Sequence, residues 1–308
     1  MKVTGVFEPF LPLCRRLLPG GLAGLSVALL KSTALEAAIL AGHLLLYPTG
    51  LTPERRPPAP VTPPNPAVSG TRATRATRAT PAAPPAERDG TVRLPVRTAR
   101  PVVLLHGFID NRSVFVLLRR TLARHGGQRV ESLNYSPLTC DIRAAAELLG
   151  RHIEEICERT GSPRVDIVGH SLGGLIARYY VQCLGGDLRV GTLVTLGTPH
   201  SGTRVAPLAD AHPIVRQMRP GSEVIEELTR PAPGCRTRFV SFWSDLDSLM
   251  DPVETARIEH PDLVATNVRV TGIGHLALPV HPAVAVGIRE ALDEAHSKER
   301  TAGGLTVA

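Results

Sequence analysis

After residue 100 the chain alternates short apolar, β-branched runs with stretches whose apolar residues recur every three or four positions. The runs are 101–107 (PVVLLHG), 128–135 (QRVESLNY), 165–171 (VDIVGHS), 189–200 (RVGTLVTLGTPH), 237–244 (TRFVSFWS) and 267–275 (NVRVTGIGH). Helical patterns fall after Ser113, up to about residue 160, up to about 184, in a region ending near 230, and after His281. Strands covered on both faces read as continuous apolar runs, whereas half-exposed strands alternate apolar with polar. The pattern predicts an α/β domain of about 200 residues, with a mostly parallel sheet of about six strands and helices on both faces.

The first hundred residues follow a different pattern. Apolar runs occupy Leu17 to Leu30 and Ala37 to Tyr47, with Lys31 and Glu36 between them. Neither run alone reaches the roughly 20 residues that span a bilayer. Wound as one helix, the sequence gathers Lys31, Ser32, Glu36 and His43 into an arc of roughly 140°, leaving a wide apolar face suited to a membrane interface. YPTGLTPERR, which follows, offers no small-x-small cleavage site, and Arg15-Arg16 lacks the rest of a twin-arginine motif. From Pro48 to about Arg97 the chain turns to Pro, Ala, Thr and Arg, including TRATRATRAT at 71–80. That composition buries too little apolar surface to repay ordering and is read as a linker. The expected organisation is a hydrophobic membrane-associated or export segment over 1–50, a linker over 51–98, a catalytic domain over 99–296 and a flexible tail over 297–308. Removing residues 1–98 is then expected to leave turnover of a water-soluble ester nearly unchanged, because the linker should carry few contacts to the domain.

Charge sharpens this division. The net charge is +7 over 308 residues, but residues 1–100 carry 13 Lys and Arg against 5 Asp and Glu, while residues 101–308 carry 22 against 23. A neutral folded portion gives no support to capture of a nucleic-acid backbone, so no nucleic-acid partner is expected. The basic excess sits instead beside the apolar runs, where it suits a membrane or cell-envelope surface, placing the protein as membrane-associated or secreted. Cysteines at 14, 140, 157, 183 and 235 form no CxxC pair and no zinc-like spacing, so neither metal nor cofactor is expected. Cys140 and Cys157 are expected to flank or share one helix, too far apart to bridge.

The strongest chemical signal is Gly169-His170-Ser171-Leu172-Gly173-Gly174, a G-x-S-x-G between the apolar run VDIV and the helical pattern LIARYYVQCL. A strand-to-helix turn this sharp leaves no room for side chains at Gly169 and Gly173 and presents the Ser171 hydroxyl as a nucleophile. In this architecture the base and its orienting acid follow in the order acid, then histidine. Of the downstream histidines, His275 in Gly272-Ile273-Gly274-His275 has small neighbours that let imidazole approach the serine. His281 begins the final helix as His-Pro and is the alternative, while His200 is read as bonding within its own loop. The acid falls in FVSFWSDLDSLMDP, which supplies Asp245, Asp247 and Asp251; Asp247 is preferred and Asp251 is next. Donors for a tetrahedral oxyanion are expected from the backbone N–H groups of Phe108 and Leu172, with His106 structural.

VVLLHGF, VDIVGHSLGGLIARYY, LVTLGTPHSGT, the Asp247 turn and GIGH together resemble the α/β-hydrolase superfamily, above all its small bacterial lipases and esterases. The likeness covers residues 101 to about 295. It implies the α/β-hydrolase fold without a large cap domain, since 201–233 is short and suits at most a small mobile rim. It also implies Ser171, Asp247 and His275 as a catalytic triad, Phe108 and Leu172 as oxyanion donors, and hydrolysis of carboxylic esters or lipids through an acyl-enzyme. An acyltransferase working through the same acyl-enzyme, or a binding protein on a hydrolase scaffold, are the alternatives. The N-terminal segment departs from those compact lipases.

Overall fold

The structure is a computed structural model, which describes residues 27–51, 100–108, 110–126, 128–135, 141–205 and 212–303. The first 26 residues, the linker over 52–98 with its TRATRATRAT repeat, Cys140 and residues 304–308 lie outside the described residues. Six strands, β1 (Val102–Leu105), β2 (Val130–Leu133), β3 (Val165–His170), β4 (Val190–Leu196), β5 (Arg238–Ser244) and β6 (Val264–Val270), form one sheet in the order β2-β1-β3-β4-β5-β6. Every neighbouring pair is parallel. The expected parallel sheet is therefore present, with β3 and its elbow in the middle.

Period-two geometry explains why the central runs carry apolar residues at both odd and even positions. In β1, Val103 and Leu105 join the cluster on one face of the sheet while Val102 and Leu104 join the cluster on the other. Helices α3 (Ile142–Thr160) and α4 (Leu172–Cys183) cover the first face through Leu149, Ile153, Ile156 and Leu175. The second is covered by α2 (Val116–Gly126) through Leu118 and Leu122, and by α7 (Pro282–Gly303) through Val284, Ile288 and Leu292. Leu104, Leu105, Ile153 and Phe239 are fully buried, each contributing about 1.5–3 kcal/mol. Helix α3 is delimited by local chemistry: the Asp141 side chain accepts from the Ala144 N–H, and Gly161 ends the helix in the left-handed region at φ 68°.

Boundaries differ from the sequence expectation at the end of β4, which stops at Leu196 rather than at residue 200, at both ends of the last strand and at the end of the last helix. The last strand runs from Val264 to Val270 and has β5 as its only neighbour in the sheet order, so this edge alternates polar and apolar, with Val264 largely exposed. Residues 271–281 lie outside the sheet, turning at Gly272 with φ 79°, and carry His275 in a run of turns. The final helix continues past 296 to Gly303, because Lys298, Glu299 and Arg300 favour helix and no breaker precedes the Gly303-Gly304 pair.

The helix α1 (Val27–Leu51) is docked on the domain. The Asn111 side chain donates to the Tyr47 carbonyl at 2.8 Å, and Asn134 and Arg112 donate to the Gly50 carbonyl at 2.6 and 3.2 Å. Gly50 packs so closely against the Asn111 side chain that a Cβ there would overlap it. Ser32, Glu36, Ile39, His43 and Gly50, spaced at helical intervals, form the shielded stripe, whereas Leu30, Leu40, Leu44 and Leu45 are exposed, Leu45 by 81%. The polar arc foreseen in the sequence faces the protein, apart from Lys31, which is exposed. Short helices α5 (Pro213–Gln217) and α6 (Glu223–Glu227) fill the region before β5.

Candidate active site

Ser171 follows the last residue of β3 and precedes the first of α4, and it is the only described non-glycine residue with positive φ, at 53° with ψ −121°. That conformation is sterically costly for a residue with a Cβ and persists only where surroundings impose it. The imposing contacts are visible. The Ser171 N–H donates to the Leu196 carbonyl at 2.9 Å, and the Ser171 carbonyl accepts from the Thr198 hydroxyl at 2.9 Å and the Gly174 N–H at 3.1 Å. A Cβ on Gly169 would come within 2.6 Å of the Gly174 nitrogen, and one on Gly173 would strike the carbonyls of Leu105 and His106. Both glycines are thus needed for close backbone approach, as the motif implied.

The loops at the carboxyl ends of the neighbouring strands converge around this turn. His275 Nδ1 lies 2.8 Å from Asp247 Oδ2, and both side chains are almost wholly buried. Asp247 lies in the turn after β5, and its other oxygen accepts the Leu249 N–H at 3.0 Å. A Cβ on Gly197, after β4, would stand 2.8 Å from Asp247 Oδ2 and 3.0 Å from His275 Nδ1; only a residue without a side chain fits beside the pair. Gly107, after β1, reaches the other flank, where a Cβ would stand 3.3 Å from Ser171 Cβ. Leu172 follows Ser171 as the first residue of α4, and Phe108 follows Gly107 in the β1 loop with its ring edge-on to His212.

The alternative residues make other contacts in the structure. Asp251 is exposed, and Asp245 pairs with Arg269 at 3.0 Å. His281 accepts, through its carbonyl, the Ala285 N–H at the start of α7. His200 Nε2 lies 2.9 Å from the Thr195 hydroxyl, and burial, aided by the Arg178 charge, pushes its pKa well below the ordinary value, so it is a neutral loop residue. His106 stacks flat on Tyr135, 4.4 Å between ring centroids, and lies 2.9 Å from the Gly107 carbonyl through Nδ1.

A second polar layer was not foreseen. Asp110 Oδ2 lies 3.3 Å from His170 Nδ1 and Asp110 Oδ1 lies 3.4 Å from His43 Nδ1 on α1. His170 in turn donates from Nε2 to the His275 carbonyl at 3.3 Å, its ring centroid 4.8 Å from that of His275. Burial alone would raise the Asp110 pKa, but the facing His170 and His43 rings hold it below the usual carboxylate range. Burial opposes the charge on His275 too, yet the neighbouring Asp247 carboxylate, with Asp110 and Glu36 farther off, outweighs it, and the His275 pKa lies above its ordinary value. His170, fully buried, moves the other way. The sequence did hold a signal for this layer: Glu36 and His43 interrupt an otherwise apolar stretch, and Asp110 follows the HGF motif by two positions. Among the described residues no group of three or more His, Cys, Asp and Glu side chains is arranged to hold a metal ion, and Cys157, Cys183 and Cys235 carry free thiols.

Residues 100–226 match the family model described as the alpha/beta hydrolase fold. A triacylglycerol lipase of Pseudarthrobacter phenanthrenivorans is 32% identical over 117 residues, covering 35% of this chain and 36% of that protein. A triacylglycerol lipase of Vibrio cholerae is 28% identical over 185 residues, covering 58% of this chain and 53% of the relative. The chain thus spans about a third to a half of the length of these curated relatives. Among solved structures, the mature form of a Bacillus licheniformis lipase superposes with a TM-score of 0.54 at 16% identity, over 65% of this chain and 95% of that one. Lipase B of Aspergillus fumigatus superposes with a TM-score of 0.56 at 18% identity, over 63% and 52%. With its parallel sheet, its elbow and these likenesses together, the chain has the α/β-hydrolase fold and resembles the bacterial lipases.

Proposed function

We propose that the protein hydrolyses carboxylic esters through an acyl-enzyme on Ser171. The carrying observation is the buried Asp247–His275 pair at 2.8 Å, beside an elbow that holds Ser171 at φ 53°. His275 Nε2 takes the Ser171 hydroxyl proton as Oγ bonds to the ester carbonyl carbon, and the carbonyl π electrons move onto oxygen. The Phe108 and Leu172 N–H groups stabilise that oxyanion. Collapse expels the alkoxide, which leaves as an alcohol with the proton held by His275; water, deprotonated by the same imidazole, then releases the acid. Asp247 keeps the His275 Nδ1 proton in place, leaving Nε2 as the acceptor.

The triacylglycerol lipase relatives favour a lipid ester as substrate, and α1 supports a lipid surface as partner. Its stretch from Leu29 to Gly50 is long and apolar enough to cross a membrane by length and composition. Yet Tyr47 and Gly50 are hydrogen-bonded to the domain and Ser32 and His43 are buried against it. A helix held along one side in this way lies in the interface plane, its leucines toward the acyl chains. The basic excess of residues 1–100 favours anionic lipid.

An organophosphonate that mimics the tetrahedral intermediate tests the reading. It is expected to modify Ser171, and Ser171→Ala to abolish labelling and lower kcat by roughly 10⁴-fold or more. Labelling of a different serine overturns the assignment.

A further inference from the structure

Glu36 is the one acidic residue in the described part of α1, and it faces the protein rather than solvent. Its Oε2 accepts the Leu276 N–H and its Oε1 accepts the Ala277 N–H, both at 2.9 Å. The partners lie some 240 residues away along the chain and are the two residues immediately after His275. Gly274, immediately before His275, makes the approach possible: a Cβ there would stand 2.6 Å from Glu36 Cδ. The helix and the histidine loop are therefore fitted to each other from both sides.

The backbone around His275 is held at three places. Ser244 donates its hydroxyl to the Ile273 carbonyl at 2.5 Å, His170 donates to the His275 carbonyl, and Glu36 accepts from the two following N–H groups. Residues 275–281 form tight turns in which Leu278 donates to the His275 carbonyl and Val280 and His281 to the Ala277 carbonyl. Within those turns the N–H groups of 276 and 277 point outward, and a carboxylate that accepts both at once fixes the orientation of the turn as well as its position. The same helix also brings His43 Nδ1 to 3.4 Å from Asp110 Oδ1, whose other oxygen lies 3.3 Å from His170 Nδ1.

We propose that Glu36 is a positioning residue for His275, so that the base is held in its working geometry only while α1 is seated on the domain. The proposal rests on the Ser171–His275–Asp247 reading given above. It replaces the expectation that residues 1–98 can be removed without consequence for turnover. On a lipid surface the same helix that holds the protein at the interface also completes the loop that carries the base. The charged and titratable groups facing His275 are Asp247 after β5, Asp110 and His170 at the ends of β1 and β3, and Glu36 from α1. Removing one negative charge from this set leaves His275 easier to deprotonate.

The test uses the full chain, assayed on a water-soluble chromogenic ester across pH, with thermal unfolding measured in parallel. Glu36→Gln keeps the side-chain size but offers one acceptor where two donors converge. It is expected to lower kcat about 10-fold, the scale of one lost charge-assisted hydrogen bond, with KM within about 2-fold. The acid limb of kcat/KM should move to lower pH, and phosphonate labelling of Ser171 should slow by the same factor as kcat. Gly274→Ala perturbs the contact from its other side, and the double variant should lose little more than either single one. Lys31→Gln, exposed on the same helix, should leave kcat unchanged. A folded Glu36→Gln protein with native kcat and a native acid limb overturns the proposal, as does strict additivity with Gly274→Ala. If Ser171→Ala still turns over ester, the triad reading itself fails. If Ser171→Ala is inert and Glu36→Gln is native, only the positioning role fails.

Discussion

Replacing Asp247 by Asn removes one proton-accepting atom and leaves the shape of the site intact, which makes the consequence calculable from the hydrogen bonds. Asp247 Oδ1 accepts the Leu249 N–H at 3.0 Å, and Oδ2 faces His275 Nδ1 at 2.8 Å. An asparagine keeps the Leu249 bond only by placing its oxygen there, which turns its NH₂ toward His275. Nδ1 must then accept, and the imidazole proton moves to Nε2, where it blocks uptake of the Ser171 proton. The pair is buried, so water cannot substitute for the lost acceptor. The expected loss in kcat is about 10⁴-fold, equivalent to about 5.5 kcal/mol at 1.36 kcal/mol per decade. The pH profile carries a second signature. With His275 as the proposed base, activity is expected to need it neutral and to be lost as pH falls through its pKa, which lies above the ordinary histidine value because of Asp247. In the Asn variant the residual activity should persist to lower pH. Initial rates on a chromogenic ester between pH 5 and 9, with Asp251→Asn as a comparison expected within about 3-fold of native, measure both effects. A folded Asp247→Asn protein retaining more than a tenth of native kcat would refute the reasoning, and a collapse in Asp251→Asn would move the acid to that residue.

Other outcomes follow from single contacts. Gly174→Ala forces a Cβ against the Thr198 side chain, which holds the Ser171 carbonyl; it should destabilise by about 1–3 kcal/mol and lower Tm by roughly 2–4 °C per kcal/mol, read by thermal unfolding. Phe239→Ala empties a fully buried site near the start of β5 and should cost about 3–5 kcal/mol in denaturant unfolding. Replacing His281 by Ala should leave kcat within about 3-fold, whereas His275→Ala should match Ser171→Ala in steady-state rates, since members of one catalytic unit are not additive. Leu44→Gln with Leu45→Gln removes two exposed leucines from α1. Partitioning to anionic vesicles should drop by about 10-fold or more, while turnover of a soluble ester stays native; unchanged partitioning would remove the interfacial reading of this face.

The sheet was legible because fully buried parallel strands leave a local mark. VVLL is apolar at every position, and VDIV and GTLVTL are interrupted only by the polar residues Asp166, Thr192 and Thr195, all buried, since both faces of the sheet are covered; the turn chemistry of Gly169-His170-Ser171-Leu172-Gly173 follows from sterics between adjacent residues. Those features need only a few neighbours in sequence, and the structure has β1, β3 and the elbow within a residue or two of the sequence limits, while β4 starts as expected but stops at Leu196, four residues short of His200. The edge strand β6 was less legible because half of it faces solvent, so its start at Val264 carries no apolar run. His275 and Asp247 could be named from their order along the chain, but not their 2.8 Å contact, which depends on two loops converging from β5 and β6. The packing of α1 was the least accessible. In sequence, Glu36 and His43 are interruptions of an apolar stretch, and nothing local says whether they face water, lipid or protein. Only the fold puts Glu36 against the N–H groups of Leu276 and Ala277 and His43 against Asp110, because contacts between residues far apart in the chain are set by how the layers pack and leave no periodicity to read.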